Sequence, residues 1–336
     1  MTALIIAAAV MVALIAYVVM GGADYGAGVW DLFASGPRKQ AQRGLIAEAI
    51  GPIWEANHVW LILVVVLLFV CFPAVFARLS VALHIPLTLM LVGVVLRGSA
   101  FTFRSYDSKR DDVQRRWGLV FSWASLVTPL LLGVSAGAVA AGTLPAEVPT
   151  SFRAGFLDPW LQPFPFAVGV LALALMAFLA AVYLSVESFD AALQDDFRAR
   201  ALGAGAAVFV AAMVTLALSR RGAPLVWEGL TASRWAPAYH AAVGTLAVTT
   251  FWALWARRFR LARLAAPAQA VLILLGWAFV QYPYLLPPDL TIANAAAPDV
   301  TLRLVLGALV AGLVLLVPSL FYLFKVFKGA PTPPVA

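Results

Sequence analysis

The chain has 336 residues, 63% of them hydrophobic and 12% charged, a balance that a soluble core cannot absorb and a lipid-embedded helical bundle can. Its net charge of +7 would suit nucleic acid, but the basic residues sit in short loops between apolar runs, where membrane topology explains them better. The single cysteine, Cys71, excludes an internal disulfide and reads as a small packing residue inside an apolar run.

Apolar windows long enough to cross a bilayer, about 20 residues each, fall at 3–30, 50–77, 79–103, 118–142, 164–187, 200–219, 238–256, 265–284 and 301–324. They predict an all-α integral membrane protein of about nine transmembrane helices, with no separate soluble domain. The first window has no basic residues before it and no convincing cleavage site after it, so it is expected to stay as a span rather than leave as a signal peptide. It ends in Gly22-Ala23-Asp24-Tyr25-Gly26-Ala27-Gly28. That GxDxGxG pattern follows no strand and opens no βαβ unit, so it is no dinucleotide fingerprint. Glycines at i and i+4 instead allow close helix approach or local opening around Asp24.

The second window opens on Trp54, Glu55, Asn57, His58 and Trp60. An acid at the centre of a span costs roughly 2.5–3.5 kcal/mol, so such a cluster points to a pathway, a partner or a substrate. Glu48 and Glu55 are spaced to share a helical face, and His58 follows Glu55 at i+3. A carboxylate–carboxylate–imidazole row of this kind can carry protons. Arg97 lies late in the third window. At about 1.5 Å per residue, Asp24, Glu55, His58 and Arg97 reach a similar depth. The competing reading is plainer: side chains that snorkel to the interface, with Asp24 and Arg97 as a structural ion pair.

Loop charge sets the orientation. With nine spans, 16 basic residues fall in the loops of one side and 6 in those of the other, Arg97 being the remaining one of 23. That bias places the N-terminus outside and the C-terminus in the cytoplasm. The three histidines, His58, His84 and His240, make a poor haem or metal set, and His84 and His240 each read better as a locally satisfied side chain.

Several stretches together resemble one family. GGADYGAGVWDL, IGPIWEANHVWLI followed by FVCFP, LRGSAFTFRS and the late QYPYLLPPDLTIANAAAP look like subunit II of the cytochrome bd quinol oxidases, in order and over essentially the whole chain. The resemblance implies two four-helix bundles, here about 1–142 and 143–284, plus a peripheral last helix at 301–328. It implies a partner, the haem-bearing subunit I, which holds two b-type haems and haem d and oxidises quinol. It implies that subunit II binds no haem or metal itself, lines a cytoplasmic proton route, and in some members admits oxygen, holds a structural quinone or meets a small single-span subunit.

By position, Asp24, Glu55 and Arg97 match the family's proton-route residues, and Trp60 matches the tryptophan implicated in oxygen access. His58 stands where some members carry a neutral amide. Some members also have an acid near Trp117, where this chain reads Arg115-Arg116-Trp117, so that acid's role does not transfer. Two other classes remain in view. A proton-coupled secondary transporter would use the acid–arginine cluster for substrate, but calls for paired interrupted helices in both halves. A purely structural partner would need no pathway at all.

Overall fold

The computed structural model describes residues 1–50, 54–106, 111–147, 149 and 151–328; for residues 50, 54–55, 104–106, 111–115 and 324 the description is of the backbone. In chain order the helices are α1 (Thr2–Ala16), α2 (Gly22–Leu32), α3 (Lys39–Ile50), α4 (Trp54–Cys71), α5 (Pro73–Ala82), α6 (His84–Tyr106) and α7 (Asp111–Ala141). They continue as α8 (Phe152–Phe156), α9 (Pro163–Glu187), α10 (Ala191–Gly222), α11 (Pro224–Thr231), α12 (Ala236–Trp255), α13 (Phe259–Gln281) and α14 (Asp299–Lys328). A π-helical turn, Tyr17–Gly21, joins α1 to α2 without breaking the span. A two-stranded antiparallel hairpin, β1 (Tyr284–Leu286) and β2 (Leu290–Thr291), sits between α13 and α14.

Seven helices among the described residues are long and apolar enough to cross a membrane, and the number rises to eight if α4 and α5 are one bent span. The expected window at 238–256 is also helical, as the 20-residue α12, but His240 and several threonines and tryptophans dilute it below the other seven. The expected second span, 50–77, is not one straight helix. Pro73 has no N–H to continue the ladder, and the chain turns by 118° between α4 and α5. The Cys71 carbonyl at that break accepts from Ala297 N–H at 2.8 Å, so the loop after the hairpin seals it. Cys71 itself is fully buried, packing with Ile6, Phe72 and Val134.

Helix α9 lies at the centre, packed against α2, α7, α10 and α13. Around it Tyr17, Tyr25, Met176, Phe178 and Val182 form the main buried cluster. α14 lies against α1 and α4, and none of its apolar window is buried inside the chain. Long apolar faces open to the outside are what lipid or a partner subunit covers.

Loops assigned to the same side by counting do meet. Arg38 donates to Asp196 at 2.9 and 2.5 Å, Gln42 donates to Asp196 at 2.8 Å, and Arg257 reaches Asp195 at 3.0 Å. On the opposite face Arg78 holds Asp289 at 2.7 and 2.8 Å.

Candidate functional site

The site is built on α2, and the GxDxGxG glycines decide where α2 can go. A Cβ at Gly26 would lie 2.0 Å from the Met176 carbonyl oxygen of α9, and one at Gly28 would lie 2.1 Å from Ser125 Oγ of α7. Only glycine lets α2 touch both neighbours this closely. The π turn just before it inserts an extra residue and so sets which way Asp24 and Tyr25 face. Of the two alternatives posed from the sequence, close approach is the one the glycines show here, while Asp24 itself lies in the regular helix α2.

Asp24 is 5% exposed and accepts a hydrogen bond from Asn57 Nδ2 at 2.7 Å. Asn57, from the first turn of α4, is itself buried, and its Oδ1 has no hydrogen-bond partner among the described residues. The amide spends its N–H on the carboxylate, and its carbonyl asks for a donor.

Beside this pair lies an aromatic and cationic group. The hydroxyls of Tyr17 and Tyr25 are 3.0 Å apart, and the His58 ring lies 6.1 Å from each of their rings. Arg97, 1% exposed, sits over the faces of Tyr25 and Phe121 at 4.8 and 5.2 Å. Its Nε donates to Ser125 Oγ at 3.2 Å, while its Nη2 has no hydrogen-bond partner among the described residues. Desolvated guanidinium–aromatic contacts contribute about 2 kcal/mol, which helps hold a buried cation where no ion pair of Arg97 occurs among the described residues.

A cavity of about 270 Å³ opens against Asp24 and Asn57. Its walls are mostly apolar, with Met20, Ala23 and Ala180 among them, and its far end carries Tyr183, Glu187 and Arg263. Arg263 reaches Glu187 at 3.5 Å.

The structure thus brings Asp24, His58 and Arg97 into one neighbourhood, with Tyr25 between the last two. Glu55 belongs to the first turn of α4, but its side chain lies outside the described residues. Glu48 is exposed on α3, and the helical face it is expected to share with Glu55 crosses residues 51–53, which lie outside the described residues. Trp60 is half-buried against the Tyr17–Met176 cluster. His84 and His240 each bond a nearby carbonyl, Val81 O at 3.1 Å and Leu230 O at 2.8 Å, the local satisfaction expected of them. Among the described residues no three His, Cys, Asp or Glu side chains gather as a metal site would require.

Sequence reasoning missed Asn57 as a partner, both tyrosines, Ser125, and the Glu187–Arg263 pair. It also missed Asp31, a second buried acid that accepts from Ser122 Oγ at 3.1 Å and faces Arg43 Nε at 3.7 Å. Asp31 follows the glycine motif directly in GVWDL, and its position two turns beyond Asp24 was the available signal.

Comparison with known proteins bears on all of this. The family model described as cytochrome bd terminal oxidase subunit II matches residues 2–327. The chain belongs to the cytochrome bd subunit II family. It is similar to the cytochrome bd-I ubiquinol oxidase subunit 2 of Escherichia coli (strain K12), 29% identical over 212 residues, or 61% of this chain and 52% of that one. The match therefore spans about half the length of that curated relative. It is also similar to the putative cytochrome bd menaquinol oxidase subunit II of Bacillus subtilis (strain 168), 22% identical over 93% of this chain and 91% of that one. The bd oxidase structure from Geobacillus thermodenitrificans contains a chain with the same fold, with a TM-score of 0.80 at 22% identity, covering 97% of this chain and 98% of that one. As a cytochrome bd subunit II with seven or eight apolar helices among its described residues, this is a multi-pass inner-membrane protein.

Proposed function

We propose that the chain is the non-haem subunit II of a quinol:O₂ oxidoreductase, seated beside a haem-bearing subunit I and lining the proton route to the place where O₂ becomes water. The haems carry the electrons in the partner. This chain supplies shape and proton-handling groups. The observation that carries the reading is a buried carboxylate, Asp24, held by Asn57 at the edge of a cavity and flanked through Tyr25 by the buried Arg97. A buried acid with an amide donor, phenols and an imidazole close by is suited to receiving and passing protons. Family membership and the loop-charge bias support the same reading.

In this arrangement the N-terminus lies outside, the C-terminus in the cytoplasm, and Asp24 toward the cytoplasmic half. Glu55 joins Asp24 at the entrance, and Glu48 lies on the approach to it. Trp60 borders an oxygen route. Residues 1–142 and 143–284 form two bundles, with 301–328 outside them. A structural quinone and a small single-span subunit belong to the same assembly. Protons taken from the cytoplasm and quinol protons released outside separate charge without a pump.

The test is Asp24→Asn and Glu55→Gln in the assembled oxidase. Turnover is expected to fall about tenfold or more, at the low end for loss of an acid–base group, with the haem spectrum unchanged. Loss of the haems along with activity would make the cluster structural.

A further inference from the structure

The cavity beside Asp24 has a second end. It runs from the buried Asp24–Asn57 pair to Glu187, at the C-terminal end of α9, and Arg263, in the first turns of α13. Their side chains are 25% and 45% exposed, so this end reaches the surface. It is also the face on which Arg38 meets Asp196 and Arg257 meets Asp195. One connected space therefore joins an exposed ion pair to a buried carboxylate.

We propose that Glu187 and Arg263 form the mouth of a water-filled inlet that delivers protons to Asp24. The inference rests on the reading that Asp24 takes up protons. Two independent observations support the inlet itself. The volume, about 270 Å³, has room for several waters. The inner end is lined by Asp24 itself, 5% exposed, and by the Asn57 that donates to it, so the space reaches the acid. Between the ends the wall is largely apolar, so waters there bond chiefly to one another. In each cycle a proton from bulk water adds to the Glu187 carboxylate, moves through the waters to the Asp24 carboxylate, and is replaced on Glu187 from the bulk. The 3.5 Å contact with Arg263, partly solvated, holds Glu187 at the mouth without locking it. Glu187 is here a relay and Arg263 a positioning residue.

The test has two arms, both on the assembled oxidase. In the first, Ala23→Cys, on the cavity wall next to Asp24, is exposed to a membrane-impermeant cationic methanethiosulfonate in vesicles of each orientation, with the buried native Cys71 as internal control. Labelling from the Glu187 side at least tenfold faster than Cys71, and faster than from the opposite side, is expected. Absence of that labelling, or labelling only after lipid is extracted, would overturn the inlet; Ala49→Cys, also on the wall, guards against a misfolded first variant.

In the second arm, Glu187→Gln is expected to lower turnover about fivefold with the quinol KM unchanged and a larger solvent isotope effect. Glu187→Asp should recover most of the rate, and Glu187→Gln combined with Asp24→Asn should be no slower than Asp24→Asn alone. If Asp24→Asn slows turnover and Glu187→Gln does not, protons enter elsewhere and only the inlet falls. If Asp24→Asn has no effect, the underlying reading falls.

Discussion

Asp24 and Asp289 are both held by a donor at 2.7 Å, yet the two ends of the molecule use that contact differently. Asp24 is buried under α9 and bonded by a neutral amide, with its nearest buried cation engaged by aromatic faces and a serine. Asp289 lies in the turn between β1 and β2, 45% exposed, clamped by both arms of Arg78. The first arrangement leaves a carboxylate beside a cavity, where we propose that it takes up protons. The second cancels charge in the open and ties the hairpin to α5. A carboxylate that has an arginine to itself is a fastener; one that has an amide and a cavity is available for chemistry.

The contrast can be broken from either end, beginning with the larger effects. Gly26→Ala should be the most damaging single methyl group, because its Cβ would meet the Met176 carbonyl at 2.0 Å and α2 would have to leave α9. Overpacking of this kind costs about 1–3 kcal/mol, occasionally more. We expect a clear drop in the yield and thermal midpoint of the assembled complex, while Gly203→Ala, where a Cβ meets nothing within 4 Å, leaves both intact or slightly raised.

Ser125→Ala removes the acceptor of Arg97 Nε and leaves a buried cation with less to bond. A loss of about 1–3 kcal/mol is expected, read as a lower detergent-melting midpoint. An unchanged midpoint would mean that the aromatic faces alone hold Arg97.

The smallest effect belongs to the other end. The hydrogen bond from Arg78 holds the Asp289 carboxyl below its ordinary range. With its folded value depressed, the pair contributes stability that is fully present above the unfolded carboxylate value, about 3.9, and is lost as pH falls through the lower folded value. For so exposed a pair the contribution is at most about 1 kcal/mol. Asp289→Asn should therefore lower the melting midpoint slightly at pH 7 and flatten its fall below about pH 4. An identical acid profile in wild type and variant would show that the clamp contributes nothing.

Much of this was legible in the sequence where physics is local and periodic. The window 164–187 became α9, Pro163–Glu187, because its prolines fall in the first turn and no charged residue comes before its last position. Depth counting brought Asp24, His58 and Arg97 together because rise per residue is nearly constant. The loop-charge argument put Arg38 and Arg257 on one side, and both reach the start of α10, at Asp196 and Asp195. What stayed hidden depended on contacts or on broken periodicity. Pro73 turned the chain after Cys71, so a window of continuous hydrophobicity became two helices. Glu187 looked like an isolated acid at the end of a span, and only the packing of α13 gives it Arg263 and a cavity.

The π turn at Tyr17–Gly21 carries a consequence for reading relatives. One residue more than an α-helix needs turns everything after it by about 100° about the axis. A helical wheel drawn through the first span from Thr2 therefore points Asp24 at the wrong neighbour. Deleting Val19 would keep every downstream side chain chemically the same while aiming the acid away from Asn57. A one-residue gap in this segment of an alignment thus marks a change in which wall of the bundle carries the acid, even where GxDxGxG itself is intact.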